Sequence, residues 1–320
     1  MEARALRAVR CVTPRAPPST DPGMPFRFLH TTDIHFLDLE GVPPWQFVGK
    51  RLTGALNLLL HRRRKHDVAL FDRMAAMVPR LDLDRVVVTG DLTNLALPSE
   101  FELGRRKLEA LPVPVTVIPG NHDTYTRGSA RAELFEHHLG HFMDGERLDG
   151  ERYPFMERYA YVEPDGREGG VALIGMSTAV PTPPFDATGR CGASQLERLG
   201  RMLATAAGEK LARVILIHHP PVAGVSKPRK KLVDLEAFGR VIERHGAELV
   251  LHGHEHARLE THLPGPKGDV PVHGASSATS LSLKPRREAS FAIYEVSPTG
   301  VSRELYTWNG NEYAPSASHA

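Results

Sequence analysis

The sequence predicts an α/β protein, and three observations carry that reading. Five short apolar runs, at 26–30, 85–88, 113–118, 214–217 and 248–251, each stop at a polar, chemistry-bearing residue. Runs of this kind read as strands buried on both faces, and such strands present functional residues from their C-terminal ends. Segments of helical periodicity separate them, and the last third of the chain turns to strand pairs.

Taken in order, residues 1–24 are rich in Arg, Ala and Pro and cannot build a core. They read as a disordered leader or an over-long gene start, with Met24 directly before the first strand. The domain is expected over 25–310, with 311–320 as a polar tail. After Asp33-Ile34-His35 comes an inserted segment, 38–66. Within it, 45–66 has Val48, Leu52, Ala55, Leu56 and Leu59 at helical spacing and six cations, Lys50, Arg51, Arg62, Arg63, Arg64 and Lys65, with no Asp or Glu. Two readings stand side by side: a membrane-surface or acyl-chain element, in which Lys50, Arg51, Arg62, Arg63 and Arg64 meet substrate or anionic headgroups, and a packed helix with solvated arginines.

Helices are expected at 67–81, at 98–111 with Pro98 in the first turn, and at 129–142. A strand pair is expected at 159–162 and 171–176, and a helix at 194–206 with Ser194 as N-cap and Glu197 completing a capping box. A helix at 235–245 ends at Gly246. Strands at 270–273, 291–296 and 301–307 follow, the last two joined by the turn at 297–300. No internal repeat or linker divides the chain, so one domain is the economical reading.

Composition sets limits on function. The chain has 320 residues, 41% of them hydrophobic, ample for a sizeable core. A net charge of +2 is too mild for a general nucleic-acid binder, and no specific nucleic acid is expected as partner. Two cysteines, Cys11 and Cys191, give no disulfide framework and fit a reducing compartment. No apolar run reaches the ~18–20 residues that span a bilayer. These features point to a cytoplasmic protein, at most peripheral on the inner membrane surface; oligomeric state is left open.

The strand ends carry Asp, His and Asn and no Cys, the donor set of a hard-to-borderline divalent metal site. Asp91 is placed at its centre. In order, Asp33-Ile34-His35, Gly90-Asp91, Gly120-Asn121-His122-Asp123, His218 and Gly253-His254-Glu255-His256 resemble the five blocks of the calcineurin-like metallophosphoesterases, over about residues 26–275. The resemblance implies a four-layer α/β/β/α sandwich of two mixed sheets with the site at strand C-termini. It implies two divalent metals, one held by Asp33, His35, Asp91 and His256, the other by Asp91, Asn121, His218 and His254. His218 and His219 are not distinguished by an extended segment alone, where one must face away; the family's His-X-Pro pattern favours His218. His122 matches the family histidine that faces the leaving-group oxygen, with Asp123 or another carboxylate orienting it. His252, His273 and Glu255 read as structural neighbours, and His61, His66, His137, His138, His141, His245 and His262 as surface residues.

The expected chemistry is phosphoester hydrolysis, by in-line attack of a metal-bridging hydroxide on a small phosphodiester or pyrophosphate. Paired ions ~4 Å apart need a bridging carboxylate, and they lower the pKa of bound water toward neutrality. Mixed His and carboxylate ligation points to Mn²⁺ or Fe²⁺, then Zn²⁺, rather than Ca²⁺. Thr89-Gly90-Asp91-Leu92-Thr93 and His-His-Pro-Pro resemble the cyclic-nucleotide phosphodiesterase branch. The basic, leucine-bearing insertion resembles the enzymes that cleave the nucleotide-linked lipid UDP-2,3-diacylglucosamine in lipid A synthesis. A non-catalytic protein-binding scaffold is the remaining reading, opposed by the retention of every ligand and of His122.

Overall fold

The computed structural model describes residues 25–60, 65–162, 168–297 and 300–316. Two mixed sheets face each other. The first has the order β13-β12-β11-β1-β2-β3, from Tyr313–Pro315, Gly300–Trp308, Ser290–Ser297, Phe26–Thr31, Arg85–Val88 and Val115–Val117. Strands β1, β2 and β3 run parallel, and the other three are antiparallel to their neighbours. The second has the order β4-β5-β6-β7-β8-β10-β9, from Glu146–Arg147, Phe155–Val162, Glu168–Gly175, Ala212–Leu216, Leu249–His252, Val270–Gly274 and Leu259–Leu263. Its central strands β6, β7, β8 and β10 are parallel.

Strand alternation divides the core. In β7 and β8, Val214, Leu216, Leu249 and Leu251 point into the layer between the sheets, where they share one apolar cluster with Phe28, Val86 and Tyr294. Their neighbours Ile215 and Val250 point the other way, onto helices α6 (Ala193–Gly208) and α7 (Leu235–His245), through Leu199, Leu203, Phe238 and Ile242. Helices α2 (Ala69–Met77) and α3 (Pro98–Glu109) contribute Leu70, Phe71, Met74 and Phe101 to the first cluster. The result is the α/β/β/α layering expected from the sequence. Each such large apolar side chain contributes about 1.5–3 kcal/mol of burial.

Several local expectations are corrected. The insertion forms a short 3₁₀ turn, Pro44–Gln46, and a helix α1, Lys50–Leu60, rather than one helix over 45–66. Residues 129–142 are split into α4 (Arg127–Arg131) and α5 (Leu134–Leu139) by a left-handed step at Glu133, φ 48°, after which Phe135 and Leu139 are buried. The capping box at Ser194 does not form: α6 starts one residue earlier, with Gly192 as N-cap, and Ser194 Oγ accepts instead from Arg198. The Asp234 carboxylate takes the N–H groups of Cys191 and Gly192 just before the helix, which fixes that entry. The domain also runs past 310. Tyr313 buries its ring against Phe291 and Trp308, donates its hydroxyl to the Ala278 carbonyl, and β13 pairs with β12, so 313–315 are part of the first sheet and not of a polar tail.

Candidate active site

The parallel strands of both sheets end on the same side. From the first sheet, β1 leads to Asp33 and His35, β2 to Asp91, and β3 to Asn121 and His122; from the second, β7 leads to His218 and β8 to His254 and His256. Main-chain bonds stitch these ends together: Asp33 N–H donates to the Gly90 carbonyl and His35 N–H to that of Asp91. The sheets are also tied across the gap, since His254 N–H donates to Asp33 Oδ2 at 2.9 Å and His218 Nδ1–H to the Thr89 carbonyl at 2.7 Å.

Immediately past the strands the backbone inverts. Asp33, His35, Asp91, His254 and His256 all have φ between 48° and 74°, the left-handed region that non-glycine residues rarely occupy. A run of such conformations at one place is a cost of order 1–2 kcal/mol each, offset by the surrounding hydrogen bonds, and it marks a functional site. Two glycines are needed here for space. A Cβ at Gly120 would lie 2.2 Å from Asp91 Oδ1, and one at Gly253 would lie 2.0 Å from Thr32 Oγ1 and 2.5 Å from Asp33 Oδ2.

The inverted backbones bring donor atoms together. One atom from each of Asp33, His35, Asp91 and His256 lies within 4.8 Å of the others, and the same holds for Asp91, His218 and His254. His35 Nε2 is 3.2 Å from His256 Nε2, and His256 Nε2 is 3.2 Å from Asp33 Oδ1. Asn121 Oδ1 is 3.2 Å from His218 Nε2 and 2.8 Å from His254 Nδ1, which puts it in the second group. A carbonyl can only accept, so His35 Nδ1–H donates to the Thr93 carbonyl and His218 Nδ1–H to the Thr89 carbonyl, leaving each Nε2 lone pair for the centre. His254 Nε2 is buried with no hydrogen-bond partner among the described residues. This donor set fits two divalent cations with Asp91 shared between them.

Without cations, the charges of the centre lean on one another. Burial pushes the Asp91 carboxyl up, but His218 and His122 outweigh it and hold it well below the usual carboxylate range. Burial opposes the His218 imidazolium, but Asp91 outweighs it and pushes the pKa up to about 9. Burial keeps His254 and His219 neutral, His219 at about 3. His219 belongs to neither donor group: its Nδ1 meets Thr178 Oγ1 and its Nε2–H donates to the Ala187 carbonyl.

His122 lines a cleft of about 460 Å³ that opens over Asp91, Asn121, His254 and His256. Its Nδ1–H donates to the Asn94 carbonyl at 2.7 Å. Asp123, one of the carboxylates expected to orient it, is bonded to the backbone. That carboxylate accepts from the N–H groups of Leu92, Thr93 and Gly120, bracing the loop that carries Asp91.

Of the cationic contacts expected from the insertion, only Lys50 lines the cleft among the described residues. Arg51 has a different part: its guanidinium donates to the Leu95 and Ala96 carbonyls and pins α1 to the loop after β2. Arg62, Arg63 and Arg64 lie outside the described residues. His66 is not a surface residue; its Nδ1 is 3.0 Å from Thr279 Oγ1, and its ring centre is 5.3 Å from both His35 and His256. Sequence reasoning also missed Tyr125, Phe185, Arg229 and Lys230 in the cleft wall. One signal was available, four cations among Lys227–Pro228–Arg229–Lys230–Lys231 shortly after His218-His219.

Two mixed sheets sharing a buried Asp/His/Asn centre define a metallohydrolase of the two-sheet sandwich class. The family model for calcineurin-like phosphoesterases matches residues 26–258, and the chain belongs to that family of metal-dependent phosphoester hydrolases. It is 28% identical over 228 residues to a probable cyclic nucleotide phosphodiesterase of Synechococcus sp., covering 70% of this chain and 76% of that one. It is 50% identical over 40 residues to the glycerophosphodiester phosphodiesterase GpdQ of Enterobacter lignolyticus, a match spanning 12% of this chain and only 14% of that protein. In fold it resembles the crystal structure of a dimetal phosphatase from Danio rerio, with a TM-score of 0.58 at 15% identity, covering 88% of this chain and 99% of that one. No helix among the described residues is long and apolar enough to cross a membrane.

Proposed function

We propose that the chain hydrolyses a small organic phosphodiester, using two divalent cations held by Asp33, His35, Asp91 and His256 and by Asp91, Asn121, His218 and His254. The observation that supports this reading best is the convergence of both donor groups on Asp91 at the floor of a cleft sized for a small molecule. When bound, such cations supply a nucleophile at neutral pH and neutralise charge on the phosphorus oxygens. Mn²⁺ or Fe²⁺ suits this donor set, with Zn²⁺ next.

The protein's own groups do the rest. Asp91 and Asp33 are kept ionised, and Asn121 adds a neutral oxygen, so the centre does not gain charge that would repel an anionic substrate. His122, with Nδ1–H fixed on the Asn94 carbonyl, holds a proton at Nε2 for the departing oxygen. Its ring is stacked on Tyr125, 5.3 Å between centres and 14° between planes, which limits rotation.

The relatives' names favour two substrate types, a cyclic nucleotide and a glycerophosphodiester. A second reading, a nucleotide-linked lipid processed at a membrane surface, is favoured by one observation: Trp45, Val48 and Leu52 on the inserted segment are 73%, 68% and 50% exposed. A cytoplasmic enzyme, free or on the inner membrane surface, is compatible with both. The deciding assay compares cAMP, bis(4-nitrophenyl) phosphate, a glycerophosphodiester and UDP-2,3-diacylglucosamine on Mn²⁺-loaded protein, with Asp91→Ala as blank. Turnover of a soluble diester, absent in the variant, is the expected result. Turnover of the lipid alone would replace the first reading with the second, and no difference from the blank would end both.

A further inference from the structure

One wall of the cleft is cationic and is made from parts that have no place in the ligand set. Lys50, from the first turn of α1, reaches across the opening to Thr182 Oγ1 at 2.8 Å and to the Asp186 carbonyl at 3.4 Å. Its ammonium lies 4.6 Å from the centre of the Tyr125 ring, which also stacks on His122. A continuous track therefore runs from His122 through Tyr125 and Lys50 to the 182–187 loop. That loop is bonded to the next one: Ala187 N–H donates to the Arg229 carbonyl and Gly189 N–H to that of Lys231. The pairing brings Arg229 and Lys230 into the cleft wall. Lys230 and His254 line the same cleft. Outside the ligands, the wall holds three cations against one carboxylate, Asp186, which accepts from Thr188 N–H and Oγ1–H and also faces Lys50 and Arg229, so the wall stays net positive. Phe185 stands at the rim with 81% of its surface exposed, a flat apolar face beside the cations.

Lysine is strongly hydrated, and the cost of half-burying one is only partly offset by a single carboxylate shared among three cations, which leaves room for a further anion. We propose that Lys50, Arg229 and Lys230 form a subsite for a second anionic group on the substrate, a phosphate or carboxylate carried on the leaving-group side of the scissile phosphorus. The subsite selects diesters whose departing fragment is charged over those whose fragment is neutral, and Phe185 covers the apolar or aromatic portion between the two charges. The inference rests on the phosphodiesterase reading for which side is the leaving-group side.

The test uses a matched pair of probes, 4-carboxyphenyl phosphate and its neutral isostere 4-carbamoylphenyl phosphate. Each is titrated calorimetrically into Mn²⁺-loaded full-length protein. The carboxylate should bind about tenfold more tightly, the scale of one charge-assisted contact. In Arg229→Ala/Lys230→Ala the preference should fall to about twofold or less, with Lys50→Gln intermediate. Lys231→Ala, exposed and outside the cleft wall, should keep it. Equal affinity of the two probes for the wild type, survival of the preference in the double variant, or an equal loss in Lys231→Ala would overturn the proposal, the last because a diffuse positive field would then account for it. Hydrolysis of the corresponding diaryl diesters is measured alongside. A protein that shows the binding preference and hydrolyses neither diester refutes the phosphodiesterase reading and leaves the anion subsite standing.

Discussion

His35 and His218 are held by the same device: each donates Nδ1–H to a carbonyl of the β2 loop, Thr93 for one and Thr89 for the other, so the Nε2 lone pairs are aimed before any cation arrives. His122 uses the device too, on the Asn94 carbonyl, but its ring belongs to neither donor group. That separation yields a prediction. His122→Ala should lower kcat by about 10²–10³ at unchanged cation content, because it removes a proton donor and no ligand. Loss of cations in this variant, read by elemental analysis, would move His122 into the ligand shell. The residues that carry this chemistry were legible in the sequence because Asp, His and Asn after a strand are restricted both in type and in place. Tyr125, Phe185 and Lys230 were not, since an aromatic or a lysine on a loop is compatible with almost any role. His66 was hidden for another reason: only the return of the insertion along 279–281, where Asp67 N–H donates to the Thr279 carbonyl and Leu281 N–H to the Lys65 carbonyl, carries it back to the site.

At the scale of elements, strands buried on both faces were readable from Val and Ile runs, while boundaries set by side chains distant in sequence were not. The start of α6 depends on Asp234, about forty residues away, and β13 exists because Tyr313 finds Trp308 and the Ala278 carbonyl. The N-terminus of α3 shows the same dependence with an energetic consequence. Glu100 Oε2 accepts from Leu95 N–H at 2.9 Å and Leu97 N–H at 3.1 Å, closing the loop that Arg51 also pins. Burial outweighs these bonds and pushes the Glu100 pKa from 4.5 up to about 8. Between those values the folded protein keeps a proton that the unfolded chain has released, so this group makes stability fall as pH rises, by about 1.4 kcal/mol per pH unit at most. Glu100→Gln keeps a carbonyl oxygen for the two N–H groups and removes the titration. Urea midpoints of wild type should therefore drop more steeply from pH 5 to pH 8 than those of the variant. Parallel pH profiles would show that the carboxyl is ionised in the folded state.

The whole molecule is organised so that neither sheet holds the centre alone. Asp33, His35, Asp91 and Asn121 come from the first sheet, and His218, His254 and His256 from the second. Asp91 belongs to both donor groups. Across the gap, several of the polar contacts that tie the strand ends together, such as His254 N–H to Asp33 Oδ2 and His218 Nδ1–H to the Thr89 carbonyl, are made by the ligands themselves. The site concentrates left-handed backbone and buried charge at the seam between the layers, and both cost free energy. Cation binding should then act as a clasp on global unfolding rather than as a local ornament. Anything that binds the folded chain alone stabilises it by RT ln(1 + [L]/Kd), about 2.7 kcal/mol at a hundredfold excess over Kd. For a domain of this size that corresponds to a rise in Tm of about 4 °C on adding Mn²⁺ to chelator-treated protein. Asp91→Asn, which keeps the shape of the shared carboxylate and removes its charge, should reduce the rise to about 1 °C, because both donor groups lose a member at once. Lys50→Gln, at the cleft wall and outside both groups, should keep the full rise. A Mn²⁺-induced shift of equal size in Asp91→Asn would mean that the cations stabilise the fold from some other place, and the sharing of one carboxylate between the sheets would have to be given up.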